Sequence, residues 1–143
     1  MFFGEFTHSI DSKGRVAIPA KFRKFLEKGA VVTKGLDNSL SVYPIIEWQT
    51  LAEKLAKLPL TQSSSRAFVR MMLAGAADVE LDKQGRIVLP EYLRIYGGIN
   101  KKVVIAGIYN RIEIWDSEKW QAFKSESERN SGEIAEKLKE LGI

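Results

Sequence analysis

The sequence contains no cysteine and a single histidine among its 143 residues. Disulfide bonds, thiolate metal sites and cysteine nucleophiles are therefore excluded. We interpret His8 as an inward-facing strand residue, since no second histidine exists to complete a metal site.

No apolar run approaches the roughly 20 residues of a membrane-spanning helix. The start, Met1 to Glu5, lacks the features of a secretory signal. We expect a cytoplasmic protein with no membrane partner.

Recognisable catalytic patterns are also missing. The serine run Ser63 to Ser65 has neither a flanking strand–turn–helix signature nor a nearby histidine. No glycine-rich phosphate loop occurs, and the acidic residues are scattered. We predict a protein that is not an enzyme and has no metal, no cofactor and no small-molecule substrate.

Positive charge is concentrated in the first half of the chain. The net charge is +4, but residues 1–71 carry 11 Lys and Arg against 6 Asp and Glu, whereas residues 72–143 carry 11 against 12. Five cations lie between Lys13 and Lys24 without one acid among them. This local field favours a polyanion such as nucleic acid, with a solvated basic face as the alternative interpretation.

The chain is a tandem duplication. The segment Asp11 to Pro19 recurs as Asp82 to Pro90, 71 positions later, and Arg23 matches Arg94 in the same register. After a one-residue insertion the match resumes at an offset of 72. It then aligns Val31-Val32 with Val103-Val104, Gly35 with Gly107, Asn38 with Asn110, and Trp48-Gln49 with Trp120-Gln121.

Each copy has the pattern strand, strand, short helix, strand, strand, helix. Alternating residues from Phe6 to Ile10 predict a half-buried strand, and a turn at the Asp-x-x-Gly segment predicts a hairpin closed by the strand that follows. Proline then ends the returning strand and fits a helix start. We predict a first module at residues 1–58, a linking helix at 59–75, a second module at 76–124 and a C-terminal helical extension at 125–143. We also expect a flexible approach at residues 124–132.

The repeated Asp-x-x-Gly-Arg turn is the candidate recognition element. Asp11 and Gly14, with Asp82 and Gly85, have the residue types that a tight turn requires. A turn does not require the arginine, whose planar donor fork suits phosphate and the guanine edge. We expect both guanidinium groups to project outward; the alternative interpretation is that each arginine pairs with its aspartate across the mouth of the turn and that the motif is only a signature of the fold. The candidate DNA-contacting residues are Arg15, Arg86, Lys13, Lys21, Arg23, Lys24, Lys83 and Arg94.

The start Met1-Phe2-Phe3-Gly4-Glu5-Phe6, the doubled turn with its aliphatic-Pro continuation, and the total length resemble the MraZ family of the AbrB-like swapped-hairpin superfamily. The resemblance covers essentially the whole chain. It implies a β-rich α+β fold of two tandem AbrB-like swapped-hairpin (double-psi-like β) modules in a pseudo-twofold arrangement with packed helices.

The same resemblance implies a function. Family members are nucleoid-associated transcription regulators that bind short direct repeats in double-stranded DNA upstream of their own operon, the division and cell-wall gene cluster. They usually act as repressors, and they assemble into ring-shaped homo-oligomers. The second copy is less basic, which favours the first half as the main DNA contact. An antitoxin-like or scaffold protein-interaction module is the alternative function.

Overall fold

The computed structural model describes all 143 residues and gives both halves the predicted order of elements. The first half contains β1 (Phe2–Ser9), β2 (Arg15–Ala17), α1 (Ala20–Arg23), β3 (Ala30–Lys34), β4 (Leu40–Pro44) and α2 (Ile45–Ala56). The helix α3 (Ser63–Val69) then links the halves. The second half contains β5 (Ala77–Val79), β6 (Arg86–Val88), α4 (Glu91–Tyr96), β7 (Lys102–Tyr109), β8 (Ile112–Asp116) and α5 (Ser117–Arg129), followed by α6 (Ser131–Lys137).

A six-stranded antiparallel sheet combines strands from both halves in the order β1-β7-β8-β4-β3-β5. The order is symmetric under exchange of the two halves. The equivalent strands β1 and β5 form the two edges, β7 and β3 lie next to them, and β8 and β4 lie at the centre. The first strand of each half pairs with the third strand of the other half, because β1 lies against β7 and β5 against β3. The two halves therefore complete each other's sheet and leave few free edges. The coarse prediction of an α+β fold is confirmed, with a largely antiparallel sheet and six helices, but the fold is not β-rich because the helices contain more residues than the strands.

The predicted hairpin is wrong beyond its turn. The strand after the first turn makes only one bridge to the strand before it, between Ile10 and Val16. β2 instead pairs with β6 as a separate two-stranded antiparallel ribbon, with Val16 opposite Ile87. This pairing places both apolar side chains in one shared core, where each is about 1% exposed or less. A local hairpin would pair β2 with the strand before it and would not bury Val16 and Ile87 together. Because the β2–β6 pair buries one face, its register is fixed.

The core lies between the ribbon and the large sheet. Equivalent residues from the two halves line it in pairs, including Ile18 with Leu89 and Phe22 with Leu93, all fully buried. The prolines predicted to start the short helices do so, with Pro19 and Pro90 as the residues that precede α1 and α4. The inner face of the ribbon is therefore buried in the apolar core.

The helices outside the repeat agree only in part with the predicted boundaries. The predicted linking helix is α3, which continues into a wider π-helical turn at Arg70–Ala74. Residues 124–129, predicted to be flexible, belong to α5, which therefore crosses the boundary that we drew at residue 124. Asp116 caps α5 by accepting a hydrogen bond from the Lys119 amide. None of the helices combines the length and the apolar character of a membrane-spanning segment.

Candidate nucleic-acid interface

The two Asp-x-x-Gly-Arg turns have the same hydrogen bonds. In the first, Oδ1 of Asp11 accepts from the amides of Lys13 (3.0 Å) and Arg15 (2.9 Å), and the Gly14 amide donates to the Asp11 carbonyl (3.0 Å). In the second turn, the corresponding distances are 2.8, 2.9 and 3.0 Å. An aspartate side chain that bonds its own backbone ahead is a recurrent way to hold such a turn. The repeat therefore encodes two equivalent rigid turns.

Each turn aspartate also holds its arginine. Nε of Arg15 donates to Oδ2 of Asp11 at 2.7 Å, and Nε of Arg86 donates to Oδ2 of Asp82 at 2.9 Å. The pKa of each carboxyl group is lowered from its ordinary value of 3.8, first by the hydrogen bond from the arginine's backbone amide and further by the guanidinium. Both aspartates are therefore ionised near neutral pH and remain competent to orient their arginines.

The expected outward projection of the guanidinium groups is correct only in part. Both groups fold back onto the neighbouring carboxylate through Nε, contrary to the prediction. The Arg15 side chain is nevertheless 32% exposed and that of Arg86 is 30% exposed. The Nη nitrogens of both arginines have no hydrogen-bond partner within the chain. The aspartate thus takes one edge of the fork and leaves the donors at its tip for a ligand.

Both arginines lie on the same face of the ribbon. Residues directly opposite each other in an antiparallel pair share a face, and Val16 and Ile87 occupy the buried one. Arg15 lies opposite Val88, and Arg86 lies opposite Ala17, so these four residues form the outer face. Diagonal neighbours on such a face are about 7–8 Å apart. Two aspartate-held guanidinium groups, one from each half, are therefore close neighbours.

The turn glycines are covered by arginines from the opposite half. Gly14 has φ +82°, and a Cβ there would lie 2.7 Å from the Leu89 carbonyl oxygen and 3.0 Å from Nε of Arg94. Gly85 has φ +76°, and a Cβ there would collide with the guanidinium of Arg23. Arg23 and Arg94 are half-buried, and each donates through Nε to a backbone carbonyl five residues earlier. The sequence predicts these two arginines to be DNA contacts, whereas in the structure each packs against the turn of the opposite half and supports it.

The four candidate lysines fall into two groups. Lys13 and Lys83 are exposed on the turns at the ends of the ribbon. Lys21 and Lys24 lie on or just after α1, and both are held against aromatic rings. The ammonium of Lys21 lies 4.7 Å from the centre of the Phe3 ring, and that of Lys24 lies 5.1 Å from the Phe25 ring. Cation–π contacts therefore anchor part of the basic segment to the N-terminal strand.

Two exposed lysines that the sequence did not suggest lie beside the first turn. The Ile10 amide donates to the Lys101 carbonyl at 2.9 Å, and Ser9 pairs with Lys102 in the large sheet. These lysines belong to the half with no net positive charge. Their proximity to Asp11 arises from strand pairing between the halves, which no local sequence pattern reveals.

These features define a class of protein, a duplicated antiparallel α/β chain whose interleaved halves present paired arginine turns on one exposed ribbon. Residues 1–71 and 72–141 each match the family described as "MraZ protein, putative antitoxin-like". The chain is 54% identical to the "Transcriptional regulator MraZ" of Natranaerobius thermophilus and 50% identical to that of Acetivibrio thermocellus, in both cases over the full length of both chains. A Limosilactobacillus reuteri relative with the same name is 54% identical over 96% of this chain and 97% of its own. The chain belongs to the MraZ family, which confirms the resemblance.

Proposed function

We propose that this protein is a DNA-binding transcription regulator that contacts double-stranded DNA through the outer face of the ribbon. The observation that carries the proposal is the pair of arginines on that face, each oriented by its own aspartate. A two-stranded ribbon fits the major groove, and an arginine fork can bind guanine or phosphate with two hydrogen bonds. The relatives' printed name, transcriptional regulator, supports this function.

Both halves contribute to this contact. The hydrogen bonds around Arg15 and Arg86 differ by at most about 0.2 Å, and their side chains are exposed to the same extent. This equivalence argues against the first half as the main contact, an interpretation that rests on the smaller number of basic residues in and after the second turn. Lys13 and Lys83 add nonspecific attraction at the ends of the ribbon. Arg23 and Arg94 hold the turns from behind.

The finer features follow from the family resemblance. The interleaved strands support an AbrB-like swapped-hairpin arrangement of the two halves. The binding sites are short direct repeats upstream of the protein's own operon, the division and cell-wall gene cluster, and binding represses that operon. The protein acts in the cytoplasm, at the nucleoid, as a ring of identical subunits. Exposed apolar side chains near the start of β1 and the end of β7, Phe3 (68%) and Tyr109 (67%), support contacts between subunits.

A ring makes weak single contacts effective. Each subunit that engages one repeat raises the local concentration of its neighbour's ribbon at the next repeat, so the total affinity exceeds that of one ribbon. The repeat spacing in DNA should then match the spacing of ribbons around the ring. Native mass spectrometry gives the subunit number, and a protein that remains monomeric at the concentration of tight binding would contradict the ring.

The experiment that tests the proposed function is footprinting of the purified protein on the DNA upstream of its own gene. We expect regularly spaced protected segments, and we expect protection to disappear at equal concentration with Arg15→Ala. The family description contains the term antitoxin-like, which corresponds to the alternative of a protein-interaction module. Absence of protection, combined with salt-insensitive binding to a protein partner, would favour that alternative.

A further inference from the structure

A cleft of about 400 Å³ opens beside the first turn, between that turn and the segment that connects α4 to β7. Asp11 and Ser12 form one side, and Arg94, Asn100 and Lys101 form the other. A second cleft of about 530 Å³ adjoins it and shares Ser12, Arg94 and Asn100. The cleft lies at the end of the ribbon that carries Arg15, so a bound group would be close to the proposed DNA interface.

The extra residue of the second copy lies in the segment that forms this cleft. The repeat offset changes from 71 to 72 between Arg94 and Val103. The chain folds back after α4 because the Ile99 amide donates to the Arg94 carbonyl at 3.0 Å. It then joins β1, where the Ile10 amide donates to the Lys101 carbonyl. These hydrogen bonds fix the backbone that forms one side of the cleft.

Several donors in the cleft have no partner within the chain. Nε of Arg94 bonds the Leu89 carbonyl, but the Nη nitrogens of Arg94 are unused. The side chain of Asn100 is also unpaired, since only its backbone amide bonds Asp116. The Ser12 hydroxyl and the Lys101 ammonium make no hydrogen bond in the chain, and both residues are exposed.

Positive charge predominates in the cleft. Arg94 and Lys101 are its cations, and its only acid, Asp11, is paired with Arg15. Glu91 faces the adjoining cleft from α4 and is exposed to solvent. Two cations with free hydroxyl and amide donors match the charge and the acceptor oxygens of a phosphate group, because donors aimed at an anion form the stronger charge-assisted hydrogen bonds.

We propose that this cleft binds a phosphate group of the DNA backbone, adjacent to the bases that the ribbon contacts. The proposal rests on the proposed function and deepens it. Phosphate contacts set the position of a protein on the duplex without reading its sequence. The cleft therefore gives the first turn a positioning contact that depends on a lysine from the second half.

The test uses the full-length protein and the slope of log affinity against log salt concentration. Each lost phosphate contact lowers that slope by about 0.9. We expect Lys101→Ala to reduce the slope by about this amount on both operator and unrelated duplex, so that the ratio of the two affinities is unchanged. Lys101→Arg should retain the wild-type slope. The matched control is Lys137→Ala, which removes an equal charge from an exposed position on α6 and should leave the slope unchanged.

The outcomes separate this proposal from the proposed function. Wild-type protein that does not bind operator DNA, or binding that is insensitive to Arg15→Ala, contradicts the proposed function itself. Operator binding that depends on Arg15, with equal slopes for Lys101→Ala and Lys137→Ala, overturns only the phosphate cleft. Saturable binding of inorganic phosphate that Lys101→Ala removes, without a change in the DNA slope, would assign the cleft to a small phosphorylated ligand and also overturn the proposal.

Discussion

Replacement of Arg15 or Arg86 by alanine should weaken operator binding to the same extent. Each guanidinium is oriented by an aspartate at 2.7 or 2.9 Å and offers its Nη nitrogens outward. A good bidentate contact with a base is worth about 1–3 kcal/mol. Since every 1.4 kcal/mol corresponds to a tenfold change, each single substitution should raise the dissociation constant about 5- to 150-fold.

The double variant tests whether the two arginines act on one duplex. Contacts about 7–8 Å apart that do not share a partner contribute almost additively. The combined loss should therefore be close to the product of the two single losses. Fluorescence anisotropy with an operator duplex measures all three variants, and an unrelated duplex separates the loss of specificity from the loss of charge. Arg15→Lys should recover charge but little specificity, because lysine lacks the planar fork.

Changes in stability should not obscure this measurement. The Arg15–Asp11 pair is partly exposed, and exposed ion pairs of this kind contribute little to the free energy of unfolding because solvent screens them. Asp11 keeps its hydrogen bonds from backbone amides when the guanidinium is removed. The matched control is Arg129→Ala, at an exposed position in the last turn of α5. If both ribbon variants bind as that control does, the reasoning is refuted; a loss confined to Arg15 would show that the two turns are not equivalent in function.

Three further predictions concern the turns and the core. Gly14→Ala should destabilise the fold by more than about 1 kcal/mol, because a positive φ is costly for alanine. The loss should exceed that of Gly85→Ala, because a Cβ at Gly14 would meet a backbone carbonyl rather than a side chain. Urea unfolding measures both variants, and equal losses would contradict the reasoning. Because the pKa values of Asp11 and Asp82 are lowered in the folded protein, both carboxylates stabilise the fold above pH 3.8, and this contribution should disappear as the pH falls through the lowered values. The double variant Asp11→Asn with Asp82→Asn should therefore reduce the pH dependence of unfolding in acid. An unchanged acid unfolding profile would contradict this prediction. Phe22→Ala should lower the free energy of unfolding by about 3–5 kcal/mol, because the ring is fully buried against two other phenyl rings. A loss below about 1 kcal/mol would contradict this and show that the core collapses into the space that the ring leaves.

The local elements and the turn chemistry could be predicted from the sequence because they depend on near neighbours. Pro19 fits the first turn of a helix and cannot extend the ladder, so the end of β2 follows from one residue. The aspartate and glycine of each motif have the hydrogen bonds and positive φ that their residue types favour. The sequence left the arginine pairing as an alternative to outward projection, because a surface ion pair is too weak for residue types alone to indicate which way the side chain turns.

The duplication, the two turns, the short helices and the family were determined by the sequence alone, through residue types repeated at a fixed spacing. The tertiary structure alone decided which strands meet. It paired β2 with β6, placed Arg15 and Arg86 on one face, set Arg23 behind the turn of the other half and brought Lys101 beside Asp11. The physical reason is that a module of four short strands cannot bury its own core. The two halves therefore exchange partners, and contacts between halves leave no periodicity in either copy.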